Sequence, residues 1–231
     1  MELVRVDTQR AYELIWEKIT TLELAPGAAI SEGQLAEELK IGLVPVREAI
    51  RLLAHENLVV VTPRHGLYVA DVNLADLEQI SEMRLSLESL AARLAVQRAT
   101  PDDMAVLEAL RQQQALVSAE DTRRLFDLDH KFHQAVTRAA QNKYLAQTLD
   151  HLFGLSRRLW YLAWPQLGFL PSAVEQHVEL VKAIQAGNAD RAEQVMRAHV
   201  QDFYSKVREV LYRAQAGGKH LPPLDVRTVP I

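Results

Sequence analysis

The forty residues from Ile30 to Val69 (ISEGQLAEELKIGLVPVREAIRLLAHENLVVVTPRHGLYV) constrain the fold most, because they encode two short helices and a β-hairpin in immediate succession. Ser31 followed by Gln34 is a capping-box pattern, after which Leu35, Ala36 and Leu39 recur at helical spacing. A turn at Lys40 to Gly42 leads into a second helix from about Val44 to Glu56. Its buried face carries Val46, Ala49, Ile50 and Leu53, and Arg47 and Arg51 point outward. Leu58 to Val61 is β-rich, Thr62 to Gly66 is a turn signal, and Leu67 to Ala70 is apolar again, which makes a wing with Arg64 and His65 at its tip. In helix-turn-helix modules the start of the second helix enters the major groove of DNA, and a cationic wing tip reaches phosphates or the minor groove. The competing use of the same elements is a helix pair and hairpin for protein contacts.

A first helix from Thr8 to about Thr21, with Ala11, Ile15 and Ile19 on one face and a break at Ala25-Pro26-Gly27, completes a three-helix winged module. The strand pattern stops near Asp71 to Asn73, where Asn73 can cap a long helix with Asp76 in its first turn. The expected organisation is therefore a winged helix-turn-helix domain over residues 1–72, an all-α domain over 73–216 and a flexible tail over 217–231 carrying Gly217-Gly218 and Pro222-Pro223. Punctuation at Thr100-Pro101, Gln141-Asn142, Pro165 to Pro171 and Gly187-Asn188 interrupts the second domain, for which six helices are expected. Thr100 serves as an N-cap with Pro101 at N1, and Ser172 with Glu175 forms another capping box. The fold class is mainly α: a winged helix-turn-helix followed by an antiparallel six-helix bundle.

A chain of 231 residues, 48% of them hydrophobic, can bury two modest cores. With no cysteine it has no disulfide framework, thiolate zinc finger or thiol redox centre. No early segment resembles a signal peptide and no apolar run approaches membrane-spanning length, so a cytoplasmic protein with no membrane partner is expected. Charge cuts against simple attraction to nucleic acid. Residues 1–70 contain seven cations (Arg5, Arg10, Lys18, Lys40, Arg47, Arg51, Arg64) against ten acidic residues. Phosphate binding must rest on a few placed cations, backbone amides and helix N-termini, which predicts a shallow salt dependence per module, doubled in a dimer.

Several polar residues interrupt apolar stripes. Leu125, Leu128, Phe132 and Val136 define one buried face, with Asp129 and His133 four residues apart within or beside it. His177 starts the stripe Val174, Val178, Val181, Ile184, and His199 lies in the stripe Met196, Val200, Phe203, Val207. Any one of these histidines alone reads as a hydrogen-bonded core residue. One carboxylate and three imidazoles aimed into one bundle suit a borderline divalent cation, Zn²⁺, Ni²⁺, Mn²⁺ or Fe²⁺, rather than Ca²⁺ or Mg²⁺, which prefer oxygen cages. His130 and His151 are either alternative ligands or without a role at the site. Arg84 lies in line with Leu77, Ile80, Leu87, Ala91 and Leu94. A buried guanidinium needs an anion: either an internal partner such as Glu88, or the carboxylate of a small ligand held in a bidentate fork, with snorkelling at the stripe edge as a third option. Arg157 and Arg158 are weaker candidates for the same effector-binding role.

The chain resembles GntR-type transcription regulators of the FadR subfamily, whose C-terminal effector-binding domain is called FCD. The resemblance spans nearly all of residues 8–215. It rests on Leu24-Ala25-Pro26-Gly27, Leu35-Ala36, Pro45 to Ile50, Leu53, Arg64-His65-Gly66 and Val69, and on Arg84, Glu88, Asp129, Phe132, His133, Asn142, Glu175 to His177, Ala183-Ile184 and Arg197 to His199. It implies a homodimeric, ligand-responsive regulator, usually a repressor, on a short palindromic operator. In metal-binding members an Asp and three His hold the cation, roles that fall here to Asp129, His133, His177 and His199, and small carboxylates or sugar acids fill its open positions. Six C-terminal helices resemble the VanR-type branch. The DNA contacts implied are Arg47, Arg64, His65 and the backbone of Gly66, with Lys40 and Arg51 beside them. One departure concerns the entry to the second helix: Gly42, Leu43 and Val44 stand where relatives often have Ser or Thr, Arg, then Thr. Leu43 cannot hydrogen-bond a guanine edge but can pack on a thymine methyl, so the operator should differ from those of typical relatives.

Two other functions share parts of this pattern. Histidines and a carboxylate with open coordination positions also occur in oxygenases and metal hydrolases, yet the chain has no His-Glu-x-x-His, no Glu-x-x-His pairing, no Gly-rich phosphate loop and no Gly-x-Ser-x-Gly elbow, so no enzyme is expected. A regulator for which the cation itself is the signal is the remaining alternative.

Overall fold

The period-3.6 stripes and the one hairpin signal resolve, in a computed structural model describing residues 2–118, 121–167 and 171–216, into two units. Among the described residues the first unit comprises 2–73 together with 157–162, and the second comprises 74–156 and 163–216. The tail expected over 217–231 lies outside the described residues.

The first unit runs α1 (Glu2–Thr20), β1 (Ala29–Ile30), α2 (Glu32–Leu39), α3 (Leu43–His55), β2 (Val59–Thr62) and β3 (Gly66–Val69). Ala11, Ile15 and Ile19 of α1 pack with Val46, Ala49, Ile50 and Leu53 of α3, all essentially inaccessible to water. Burying a side chain of this size contributes roughly 1.5–3 kcal/mol, so this face fixes α3 and leaves its opposite face in solvent. The Ser31 side chain accepts from the Gln34 amide, capping α2, and Lys40 ends that helix in the left-handed conformation at φ 54°. The antiparallel sheet has the order β1-β3-β2, with Val59 opposite Val69 and Thr62 opposite Gly66. β1 was not anticipated: two residues are too few to carry an alternating pattern, and its pairing of Ala29 with Tyr68 exists only in three dimensions. Gly66 sits at φ 112°, a region closed to side chains with a Cβ, which is why the wing turn has glycine there.

The second unit runs α4 (Leu74–Arg98), α5 (Pro101–Leu116), α6 (Thr122–Ala139), α7 (Lys143–Leu167), α8 (Pro171–Gln185) and α9 (Ala189–Ala216), the six helices expected, with α7 lending residues 157–162 to the first unit. Thr100 and Asp103 form a full reciprocal capping box with Pro101 at N1, Asn142 caps α7, and Asn188 caps α9. Two punctuation readings fall differently. Pro165 lies inside the last turn of α7, and Ser172 lies within α8 rather than capping it. α4 packs on α9 and α6, α5 on α6 and α8, and α8 on α9, so α6, α8 and α9 surround one interior region bounded by α4 and α5.

Candidate functional site

Asp129 and His133 stand one turn apart on α6, His177 is on α8 and His199 on α9. The three imidazoles are 1–6% exposed, and the Asp129 side chain is 24% exposed, at the open edge of the group. One ligand atom from each of the four lies within 4.8 Å of the others. Asp129 Oδ1 is 3.4 Å from His177 Nε2 and 3.8 Å from His199 Nε2, and Asp129 Oδ2 is 3.7 Å from His133 Nε2. His133 Nε2 and His199 Nε2 are 3.0 Å apart. Four ligands around a cation at bond lengths of about 2.1 Å sit about 3.0–3.5 Å from one another, so the group needs to tighten only slightly to close on an ion.

The orientation of the rings is set from behind. The Glu88 carboxylate on α4 contacts His133 Nδ1, the Gln114 carbonyl oxygen on α5 is 2.9 Å from His177 Nδ1, and the Gln176 carbonyl oxygen on α8 is 3.1 Å from His199 Nδ1. An acceptor at Nδ1 holds the proton on that nitrogen and turns the Nε2 lone pair inward. Phe132 stacks on His177 with centroids 4.0 Å apart, which fixes the ring plane. Three inward lone pairs and a carboxylate repel one another unless a proton or a cation lies between them. His177 Nε2 is a buried nitrogen with no hydrogen-bond partner among the described residues, a costly state that a cation would end. His130 instead lies against the Phe153 ring, and neither it nor His151 belongs to the group of four.

Charge behaves accordingly. Burial, reinforced by His199 and His133, pushes His177 well below its ordinary pKa, and burial with His133 lowers His199 to about 3. Burial would also lower His133, but the Glu88 and Asp129 carboxylates outweigh it and raise it. Burial raises Asp129 in spite of His133 and Arg84, while Glu88, which burial would raise, is held far below the carboxylate range by Arg84 and His133. Two imidazoles that stay neutral when folded, but protonate near pH 6.5 when unfolded, give the unfolded chain more protons below that pH. Their stabilisation is present above about pH 6.5 and is lost as pH falls toward the folded values. His133 and Asp129, both raised, have the opposite sign, and the larger displacements, those of His177 and His199, set the net direction. Metal-free protein should therefore unfold at lower urea at pH 5.5 than at pH 7.5, and His177→Gln should shrink that difference.

Arg84, 4% exposed, donates from Nε to Glu88 at 2.6 Å and from a terminal nitrogen to the Tyr204 hydroxyl at 3.3 Å, with its guanidinium 4.6 Å from the Phe153 centroid. Glu88 is the internal partner of Arg84, which also lines a recess beside the histidines. Arg157 and Arg158 do not line it. They belong to the first unit, where Arg157 donates to Glu17 and Thr20 and Arg158 to the Ala70 carbonyl. Their place on α7 turned them to those acceptors, which sequence spacing could not specify.

In the first unit Lys40, Arg47, Arg51, Arg64, His65 and Gly66 are all exposed. Arg47 Nε pairs with Glu32 at 2.7 Å and Arg51 with Glu48 at 2.5 Å, so both guanidiniums on α3 are partly neutralised in the free protein. Leu43 and Val44 open α3 at 40% and 61% exposure, and Gly42 offers no side-chain cap.

A winged helix-turn-helix followed by a helical domain with a polar interior site is the architecture of a DNA-binding transcription regulator. The family model for bacterial regulatory proteins of the gntR family matches residues 7–69 and that for the FCD domain matches 79–202; the chain belongs to the GntR family with an FCD domain and is a DNA-binding transcription regulator. It is 28% identical over 203 residues to the HTH-type transcriptional repressor RspR of Escherichia coli K12, covering 87% of this chain and 89% of that one. It is 30% identical over 234 residues to an HTH-type transcriptional regulator from an unstable DNA locus of Streptomyces ambofaciens, covering 98% and 94%. Escherichia coli McbR/YncC has the same fold, with a TM-score of 0.77 at 23% identity over 88% of this chain and 97% of that one. These relatives are regulators, not enzymes, which removes the enzymatic alternative. Among the described residues no helix is long and apolar enough to cross a membrane.

Proposed function

We propose that this regulator is a cytoplasmic homodimeric repressor that binds a palindromic operator and releases it when a small carboxylate or sugar acid occupies the helical domain. Asp129, His133, His177 and His199 would hold a divalent transition ion there, Zn²⁺, Ni²⁺, Mn²⁺ or Fe²⁺, and the ion would supply a Lewis-acidic anchor for the effector's carboxylate. The observation that carries this reading is the donor set: three Nε2 atoms and a carboxylate converge while each Nδ1 is held by an oxygen from outside, and one Nε2 is left buried without a partner. Arg84 adds a fixed positive charge beside the same recess.

On the DNA side, Arg47, Arg64, His65 and the Gly66 amide contact the operator, with Lys40 and Arg51 on adjacent phosphates. Glu32 and Glu48 must yield Arg47 and Arg51 for this to happen, and that exchange favours Arg47 at a base edge over loose phosphate contact. Leu43 and Val44 put apolar surface at the tip of α3, and the thymine methyl is the apolar group exposed in the major groove. Replacing thymine by deoxyuridine at positions facing α3, in an operator selected from random duplexes, should weaken binding about four-fold per methyl at roughly 0.8 kcal/mol per buried carbon. Equal affinity for every such duplex would place Leu43 and Val44 off the bases.

Elemental analysis of the native protein, followed by operator shift assays with and without chelator and candidate acids, tests the whole reading. A stoichiometric ion and acid-dependent release support it. Purified protein that retains no ion and ignores every acid rejects the sensing half, and release on chelation alone makes the ion itself the signal.

A further inference from the structure

A narrow recess beside the histidines, partly open to solvent, has interior room for about one water molecule, so an effector enters it only by parting the side chains that line it. One end is polar, formed by Arg84 and by Asp129, His133 and His199 of the four-residue group. The rest is Phe126, Phe153, Phe203 and Val200, with Ser156 as the single neutral polar side chain among the described residues that line it.

The hydrogen-bonding capacity of that neutral end is already spent. Ser156 Oγ donates to the Leu152 carbonyl at 2.8 Å and is 2.6 Å from the Tyr204 hydroxyl. With the serine proton so used, Tyr204 donates to Ser156 and accepts from Arg84 at 3.3 Å, which closes a chain Arg84 to Tyr204 to Ser156 to Leu152. Both hydroxyl protons are committed, and among the described residues that line the recess outside the four-residue group Ser156 keeps one lone pair as a neutral side-chain acceptor. Arg84 and the four converging side chains share one end, where a ligand carboxylate would meet the guanidinium and the ion those four would hold.

A buried hydroxyl that loses water and gains no partner is penalised, and a sugar acid carries four or five. An apolar body against three phenyl rings gains from the same water being expelled. We infer that the effector is a monocarboxylic acid with an apolar body, a short branched chain or a single ring, and not a polyhydroxylated sugar acid. The inference rests on the proposed effector reading and narrows it from the two chemical classes left open there.

The test is calorimetric titration of the full-length, metal-loaded protein with benzoate, cyclohexanecarboxylate and isovalerate against gluconate and glucuronate. At least one apolar acid should bind ten-fold or more tightly than either sugar acid and with a negative heat-capacity change, the mark of apolar burial. In Phe203→Asn, checked by circular dichroism and metal content, that preference should fall by at least three-fold, because Phe203 lines the recess and is not among the four converging side chains. Tighter binding of gluconate or glucuronate overturns the inference and leaves the effector reading standing. If protein with a stoichiometric ion binds none of the five acids, the carboxylate reading fails and the inference falls with it.

Discussion

Glu88→Ala should destabilise the helical domain by about 3–5 kcal/mol, seen as a lower urea midpoint with unchanged slope. Glu88 is 3% exposed and is shared: one carboxylate oxygen accepts from Arg84 Nε at 2.6 Å and the other meets His133 Nδ1. Truncation leaves the guanidinium in a buried site with Tyr204 as its one remaining hydrogen-bond partner among the described residues, and charge stranded without its counter-ion accounts for most of the loss. It also frees His133 to choose either tautomer. Metal affinity should therefore fall about 10- to 100-fold, the range for removal of an outer partner of a ligating histidine. Glu88→Gln separates the two effects. It keeps an oxygen for His133 Nδ1 while lowering the negative charge, so metal affinity should recover more than stability does. Equal loss of both in the glutamine variant would mean that Glu88 serves only as the counter-ion of Arg84.

Period and punctuation made most of this protein legible from its residues. The stripes of α1, α3 and α6 and the capping box at Thr100 follow from local rules that tertiary packing then reinforces. The histidines were visible for the opposite reason, as polar residues at positions where local rules demand apolar ones. What lay beyond reach depends on which faces meet. Glu88 was identifiable as a partner four residues from Arg84, but its contact with His133 requires α4 against α6. Gln114 and Gln176 look like ordinary helix-surface residues, and Gln176, next to His177 in sequence, serves His199 on the neighbouring helix instead. The signal that could have found them is a long amide in phase with a buried stripe, as Gln114 is with Leu107 and Leu110. Sequence offers Arg157 and Arg158 as weaker effector-binding candidates, whereas their acceptors Glu17, Thr20 and Ala70 emerge only in three dimensions. Pro165 reads as a break in sequence, whereas α7 continues two residues past it to Leu167.

His177→Ala should cut the response of the protein to chelator to about 0.4–1.6 kcal/mol, against about 4 kcal/mol in the parent. In the parent protein, ion held at a thousand times its dissociation constant stabilises the fold by about 4 kcal/mol, and its removal should lower the melting temperature by roughly 8–16 °C. Apparent binding free energies of about 10–16 kcal/mol for a four-ligand zinc site assign about 2.5–4 kcal/mol to each ligand, so loss of one should weaken affinity about 70- to 900-fold. His177 is the informative choice among the four. It is the most buried at 1% exposed, its Nε2 has no hydrogen-bond partner among the described residues, and its pKa is held well below the ordinary value, so it pays nothing for deprotonation when an ion arrives. The metal-free forms supply the control. Removing an imidazole stacked on Phe132 costs packing, whereas removing an unpartnered nitrogen relieves a penalty, so metal-free variant and metal-free parent should differ by less than metal-loaded parent and metal-free parent. A core histidine with no ion to hold would give the reverse pattern: the variant would lose stability outright, and the parent would melt at the same temperature with and without chelator.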